Sequence, residues 1–204
     1  MTKLIASGAC AALCLLAAGL PAPPAWAEQV NDTTNPLNVN TRLNFRVVYP
    51  RFLSFRVGTV GAAVNLLTFS VPAAQVGSGT AITATGGDAG PSGVNVSVLG
   101  NNGQVTITPT NNSGGLGIGT GTASDGRINY NQIGTATTVP QLPAPVLTNA
   151  GGTPATPTLS AGLVTQRTAI WNFSYLNQTI PSAGAYGGAG GANGGRVTFT
   201  ATMP

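Results

Sequence analysis

The chain has 204 residues, of which 42% are apolar and only 6% charged. After Ala27 there is no His, Cys or Lys, and seven arginines stand against four carboxylates, Glu28, Asp32, Asp88 and Asp125, for a net charge of +3. This composition excludes Ser-His-Asp triads, Ser-Lys dyads and Schiff bases and removes the usual ligands of zinc and softer metals, so no enzyme, metal or cofactor is expected.

The pI near 9.6 reflects scarce acids more than a cationic surface. No nucleic-acid partner is expected, because tracking phosphates takes many clustered cations. Charge this far below the usual quarter makes a lone monomer poorly soluble and suits a surface covered by neighbours.

Met1-Thr2-Lys3 is a short basic start, and residues 4–20 are apolar without a charge. Pro21-Ala22-Pro23-Pro24 then precedes Ala25-Trp26-Ala27, a small-x-small cleavage pattern. This is the layout of a secretory signal peptide over 1–27. The apolar run barely reaches the roughly 20 residues that span a bilayer, and prolines follow at once. No transmembrane segment is expected once the leader is removed. Cys10 and Cys14 lie inside the leader and do not fit lipid-anchor processing. The exported chain therefore carries no disulfide, which a domain well over ~100 residues tolerates.

The clearest periodicity runs over 37–57. Odd positions read Leu37, Val39, Thr41, Leu43, Phe45, Val47 and Tyr49, and even positions are mostly Asn and Arg. Such alternation marks a half-buried strand, interrupted at Pro50-Arg51. The part before Pro50 exceeds the usual strand of about 5–6 residues. Residues 60–71 are apolar but less regular. A strand over 81–85 runs into Gly86-Gly87-Asp88. Residues 94–98 and 105–108 flank Gly100-Asn101-Asn102-Gly103 and predict a hairpin.

Residues 127–133 suggest a short strand, and 135–160, rich in Pro, Thr and Gly, a long surface connection. The chain closes with strands over 170–175, where Trp171, Phe173 and Tyr175 share a face that reads as core, and over 196–203. Between these two strands, 187–195 reads as a flexible Gly/Ala/Asn tip. No useful helical period occurs after the leader. Many short strands with Gly, Pro and Asn turns predict an all-β, antiparallel sandwich.

The last 25 residues hold Pro181, Gly184 and Tyr186, a glycine tip, and an alternating strand with Val197 and Phe199. This resembles the closing hairpin of secreted bacterial pilin-like subunits, chaperone–usher fimbrial and spore-coat-U-like proteins among them. The match covers about an eighth of the chain. Two features depart from the family: the exported chain lacks a disulfide, and the glycine tip is long.

The resemblance implies an Ig-like or pilin-like sandwich over 42–204 with an N-terminal extension over 28–41. It also implies assembly by strand donation, in which a missing strand is supplied by the extension of the next copy. The implied partners are further copies of the chain, a periplasmic chaperone and an outer-membrane usher. The implied setting is the bacterial cell surface, reached through the periplasm, and the implied role is that of a filament subunit with an adhesive function. Leu37, Val39, Thr41, Leu43 and Phe45 are the candidate donor residues. An ordinary first strand packed on its own core reads equally well from alternation alone.

Arg42, Arg46 and Arg56 share a nominal face, read first as a solvated strand face that discourages edge aggregation, with binding of acidic sugar or lipid as the alternative. Asp88 and Asp125 sit in Gly-rich turns and read as turn chemistry. A monomeric secreted module binding carbohydrate or matrix is the alternative function. A carboxylate-based glycosidase would need two acids within roughly 5–10 Å.

Overall fold

A computed structural model describes residues 29–61, 63–121 and 126–204. The expected leader, Glu28 and Asp125 lie outside the described residues. The chain divides at Val48/Tyr49 into two compact units. Residues 29–48 contain no strand or helix. The strand expected over 37–49 is therefore not formed: alternation prepares a segment for a sheet, but a strand exists only where another strand supplies its hydrogen bonds.

The second unit is all-β and antiparallel, as expected. Its strands are β1 (Leu53–Val57), β2 (Leu67–Phe69), β3 (Ile82–Gly86), β4 (Gly93–Gly100), β5 (Thr106–Asn111), β6 (Ile133–Thr137), β7 (Val146–Thr148), β8 (Gly151–Thr153), β9 (Thr165–Tyr175) and β10 (Val197–Thr202). Only short 3-10 turns, at 73–75, 130–132 and 189–194, interrupt this pattern among the described residues. None of the described helices is long and apolar enough to cross a membrane.

β9 organises the larger sheet. On one side it pairs with β4, from Gly93↔Asn172 to Gly100↔Thr165, and β4 pairs in turn with β1. On the other side it pairs with β6, from Ile133↔Tyr175 to Thr137↔Trp171. β3 takes over beside β9 where β4 begins, through Ile82↔Tyr175 and Thr83↔Ser174. Ser92 makes this handover possible: its carbonyl accepts from the Phe173 amide and its hydroxyl from the Ala84 amide. The smaller sheet pairs β5 with β10, Thr106↔Thr202 through Asn111↔Val197, and β7 and β8 form a separate short hairpin.

Period-two alternation decides what is buried. Val94, Val96 and Val98 of β4 and Ala169, Trp171 and Phe173 of β9 turn inward, where they meet Val105 and Ile107 from the β5 side, together with Leu142 and Leu147. Trp171 is fully buried. Its indole N–H donates to the Leu142 carbonyl, and its ring meets Phe199 of β10 edge-on at 5.3 Å. The two sheets therefore share one core.

Further expectations change. Residues 100–103 do not close a hairpin: β4 pairs with β1 and β9, and β5 pairs with β10. The turn is an arch that carries the chain from one sheet to the other, so both flanking strands face the same core. The strand expected over 127–133 begins at Ile133, and the connection expected over 135–160 contains the rest of β6 and the β7–β8 hairpin. The closing strands β9 and β10 lie in different sheets. Lastly, the glycine tip is tied down, because Asn112 and Tyr130 donate to the carbonyls of Gly191 and Gly194, and the Gly119 amide donates to that of Asn193.

Candidate functional site

β1 and β10 each pair with a single strand, β4 and β5 respectively, leaving one edge of each without a strand partner among the described residues. The turn between β4 and β5 brings these edges together at one end. Asn101 accepts from the Phe52 amide at 2.8 Å and donates to the Pro50 carbonyl at 2.8 Å, fixing the start of β1. Asn102 donates to the Pro204 carbonyl, fixing the end of β10. Because the start of one strand and the end of the other are held at the same turn, β1 and β10 run in opposite directions. Leu53 and Met203 meet over Gly100, where an added Cβ would lie 2.9 Å from the Met203 sulfur and 3.4 Å from Leu53 Cδ1.

Between these edges the core is incompletely covered. The inward residues of β4 and β9 are buried, with Val96 at 1% and Trp171 at 0% exposure. By contrast, Leu53, Phe55 and Val57 of β1 and Val197, Phe199, Ala201 and Met203 on β10's side are only half-buried, though all pack on the same core.

The backbone of β10 is half-used as well. Ile107 exchanges both its backbone bonds with Ala155, each 2.8 Å. Its neighbours Thr106, Thr108 and Thr110 therefore turn theirs toward Thr202, Thr200 and Thr198, because donors alternate sides along a strand. The N–H and C=O groups of Val197, Phe199 and Ala201 then point to the free edge. Pro109 fits in β5 for the same reason: its missing N–H falls on the side away from β10.

The candidate donor residues lie in the other unit. Leu37, Val39, Leu43 and Phe45 are exposed, Phe45 by 85%, and Thr41 is exposed too; none belongs to a strand. The start of this unit is locally organised by Asp32. Its carboxylate accepts from the Asn38 amide at 2.9 Å and from the Thr34 amide and hydroxyl, both at 2.8 Å. These bonds, the Asn38 amide foremost, hold its pKa below the usual carboxylate value.

The seam between β1 and β10 was not singled out from sequence. Its apolar residues alternate legibly, but which edges go unpaired is a property of topology.

Other features of the described residues serve the fold. No group of three or more His, Cys, Asp or Glu side chains gathers. Asp88 accepts from the Asn95 amide of β4, seven residues on, at 2.7 Å and so ties the turn before β4 to that strand. An open cleft of about 340 Å³ is lined in part by Asn112, Ser113, Arg127 and Asn193. Most of its polar groups are engaged: Asn112 accepts from the Arg196 amide, Ser113 donates to Asn111 Oδ1, and Arg127 donates to the Gly117 carbonyl.

No protein-family model, curated protein or solved structure matches the chain.

Proposed function

We propose that the protein is an exported structural subunit of a bacterial surface filament or fimbria-like assembly, adhesive in role and built by strand donation. The 37–45 segment of one copy lies along the free edge of β10 in the next and turns Leu37, Val39, Leu43 and Phe45 into the seam between β1 and β10. The observation that carries this reading is the pairing of half-buried apolar side chains with unused backbone groups along one seam. The same chain carries an exposed, alternating segment that has no sheet of its own.

Strand order supports the reading. An Ig constant-type sandwich pairs its strands A-B-E-D in one sheet and C-F-G in the other. With β1, β4, β5, β6, β9 and β10 taken as A to F, the observed pairs are A-B, B-E, E-D and C-F, and the position of G, beside F, is vacant. Nine residues from Leu37 to Phe45 are long enough to run beside all six of β10. Main-chain bonds would supply affinity and alternate side chains specificity, each buried Leu or Phe contributing about 1.5–3 kcal/mol. A periplasmic chaperone would guard the seam before assembly, and an usher would pass the subunit through the outer membrane.

The test is the sheared cell-surface fraction run on SDS gels with and without boiling. The expected result is a high-mass ladder that collapses on boiling and is lost in Phe45→Ser. A single monomer band in both lanes would overturn strand donation.

A further inference from the structure

The assembled sheet has an outer face as well as an inner one, and its composition is uneven. If the odd positions of the donated segment enter the seam, Asn38, Asn40, Arg42, Asn44 and Arg46 face outward, because strand side chains alternate. Beside them the outward positions of β10 are Thr198, Thr200 and Thr202, preceded by Arg196. On β5 they are Thr106, Thr108 and Thr110, followed by Asn112. Arg42, Arg46, Arg196, Thr198, Thr200 and Thr202 are all exposed. None of the three strands contributes a carboxylate.

We propose that this completed outer face binds acidic polysaccharide, an inference that rests on the strand-donation reading. Three guanidinium groups set among threonine hydroxyls and asparagine amides match a chain that carries carboxylates and is otherwise rich in hydroxyls. Guanidinium forks hold carboxylates in two-point fashion, and Thr and Asn exchange hydrogen bonds with sugar hydroxyls in either direction. Arg42 and Arg46 are four residues apart, about 13 Å along an extended strand, so they would engage separate sugar units. The face has no aromatic side chain for base stacking, which single-stranded nucleic acid would use.

One exposed ion pair contributes little, so a single subunit binds weakly. A filament repeats the face at every subunit and gains through multivalency. Binding is thus coupled to assembly: only the polymer holds the ligand firmly.

The test is co-sedimentation of filaments of the full-length exported protein with polygalacturonate, with neutral dextran and duplex DNA as controls. Filaments should carry down polygalacturonate, spare dextran and release their cargo in high salt. Arg42→Gln/Arg46→Gln filaments, checked first for an unchanged SDS ladder, should need about tenfold more polygalacturonate for half-saturation. The monomeric Phe45→Ser protein should bind far more weakly than filaments. Normal filaments that ignore polygalacturonate, a double variant that binds unchanged, or DNA competing equally per charge would each overturn this inference and leave strand donation standing. Failure to form filaments at all would remove strand donation, and this inference with it.

Discussion

Tyr130 shows how single residues hold the seam's frame. It is 2% exposed and donates its hydroxyl to the Gly194 carbonyl at 2.5 Å, with the Arg196 carbonyl at 3.3 Å, so it ties the approach to β6 to the chain entering β10. Burial pushes its pKa up to about 12. In the unfolded chain it titrates near the ordinary 10, so the folded state keeps its proton longer. Its contribution is complete below pH 10 and is lost as pH rises through 12. Tyr130→Phe should cost about 1–2 kcal/mol at pH 8, and its stability should fall less than the wild type's between pH 10 and 12. Urea midpoints at pH 8 and pH 11 check both. Little of this was legible beforehand: Tyr130 reads as one aromatic in a weak apolar stretch, and its partners arrive from 64 and 66 residues away.

At the scale of elements, the proposed function rests on β10, whose two edges can be separated experimentally. Thr200 directs its backbone to β5, whereas Ala201 directs its own to the free edge. Thr200→Pro should therefore remove a ladder bond within the subunit and lower monomer stability by about 1–3 kcal/mol. Ala201→Pro should leave the monomer within about 1 kcal/mol, since edge strands tolerate proline, yet abolish the SDS ladder. Equal loss of monomer stability in the two variants, measured by urea denaturation, would show that the backbone directions have been read wrongly.

The same element scale explains what sequence could and could not supply. β3, β4, β5, β9 and β10 were legible because Val, Ile, Phe and Trp alternate in them with polar residues. β6 was missed because Gly134 and Ala136 blur its alternation. The Gly100–Gly103 turn reads as a hairpin because a Gly-Asn turn looks alike whether it joins strands in one sheet or arches between two. The 37–49 segment has the pattern of a strand but not the pairing. Periodicity records which face a segment can bury, not against which chain it does so.

At the scale of the whole molecule, an inside left partly open and a surface nearly without charge belong together. A chain with 6% charged residues relies little on repulsion to keep its copies apart, and its half-buried β1 and β10 side chains gain most from a neighbour. The candidate donor residues are legible as an over-long alternating run, but the candidate acceptor edge depends on strand order, which places the edges of two sheets at one seam through contacts distant in sequence.

The most direct measurement is amide hydrogen exchange at Val197, Phe199 and Ala201 in filaments and in the monomeric Phe45→Ser protein. Strand donation predicts rapid exchange at these three amides in the monomer and strong protection in the filament, with Thr198, Thr200 and Thr202 protected in both. Protection of Val197, Phe199 and Ala201 already complete in the monomer, or absent from the filament, would contradict it.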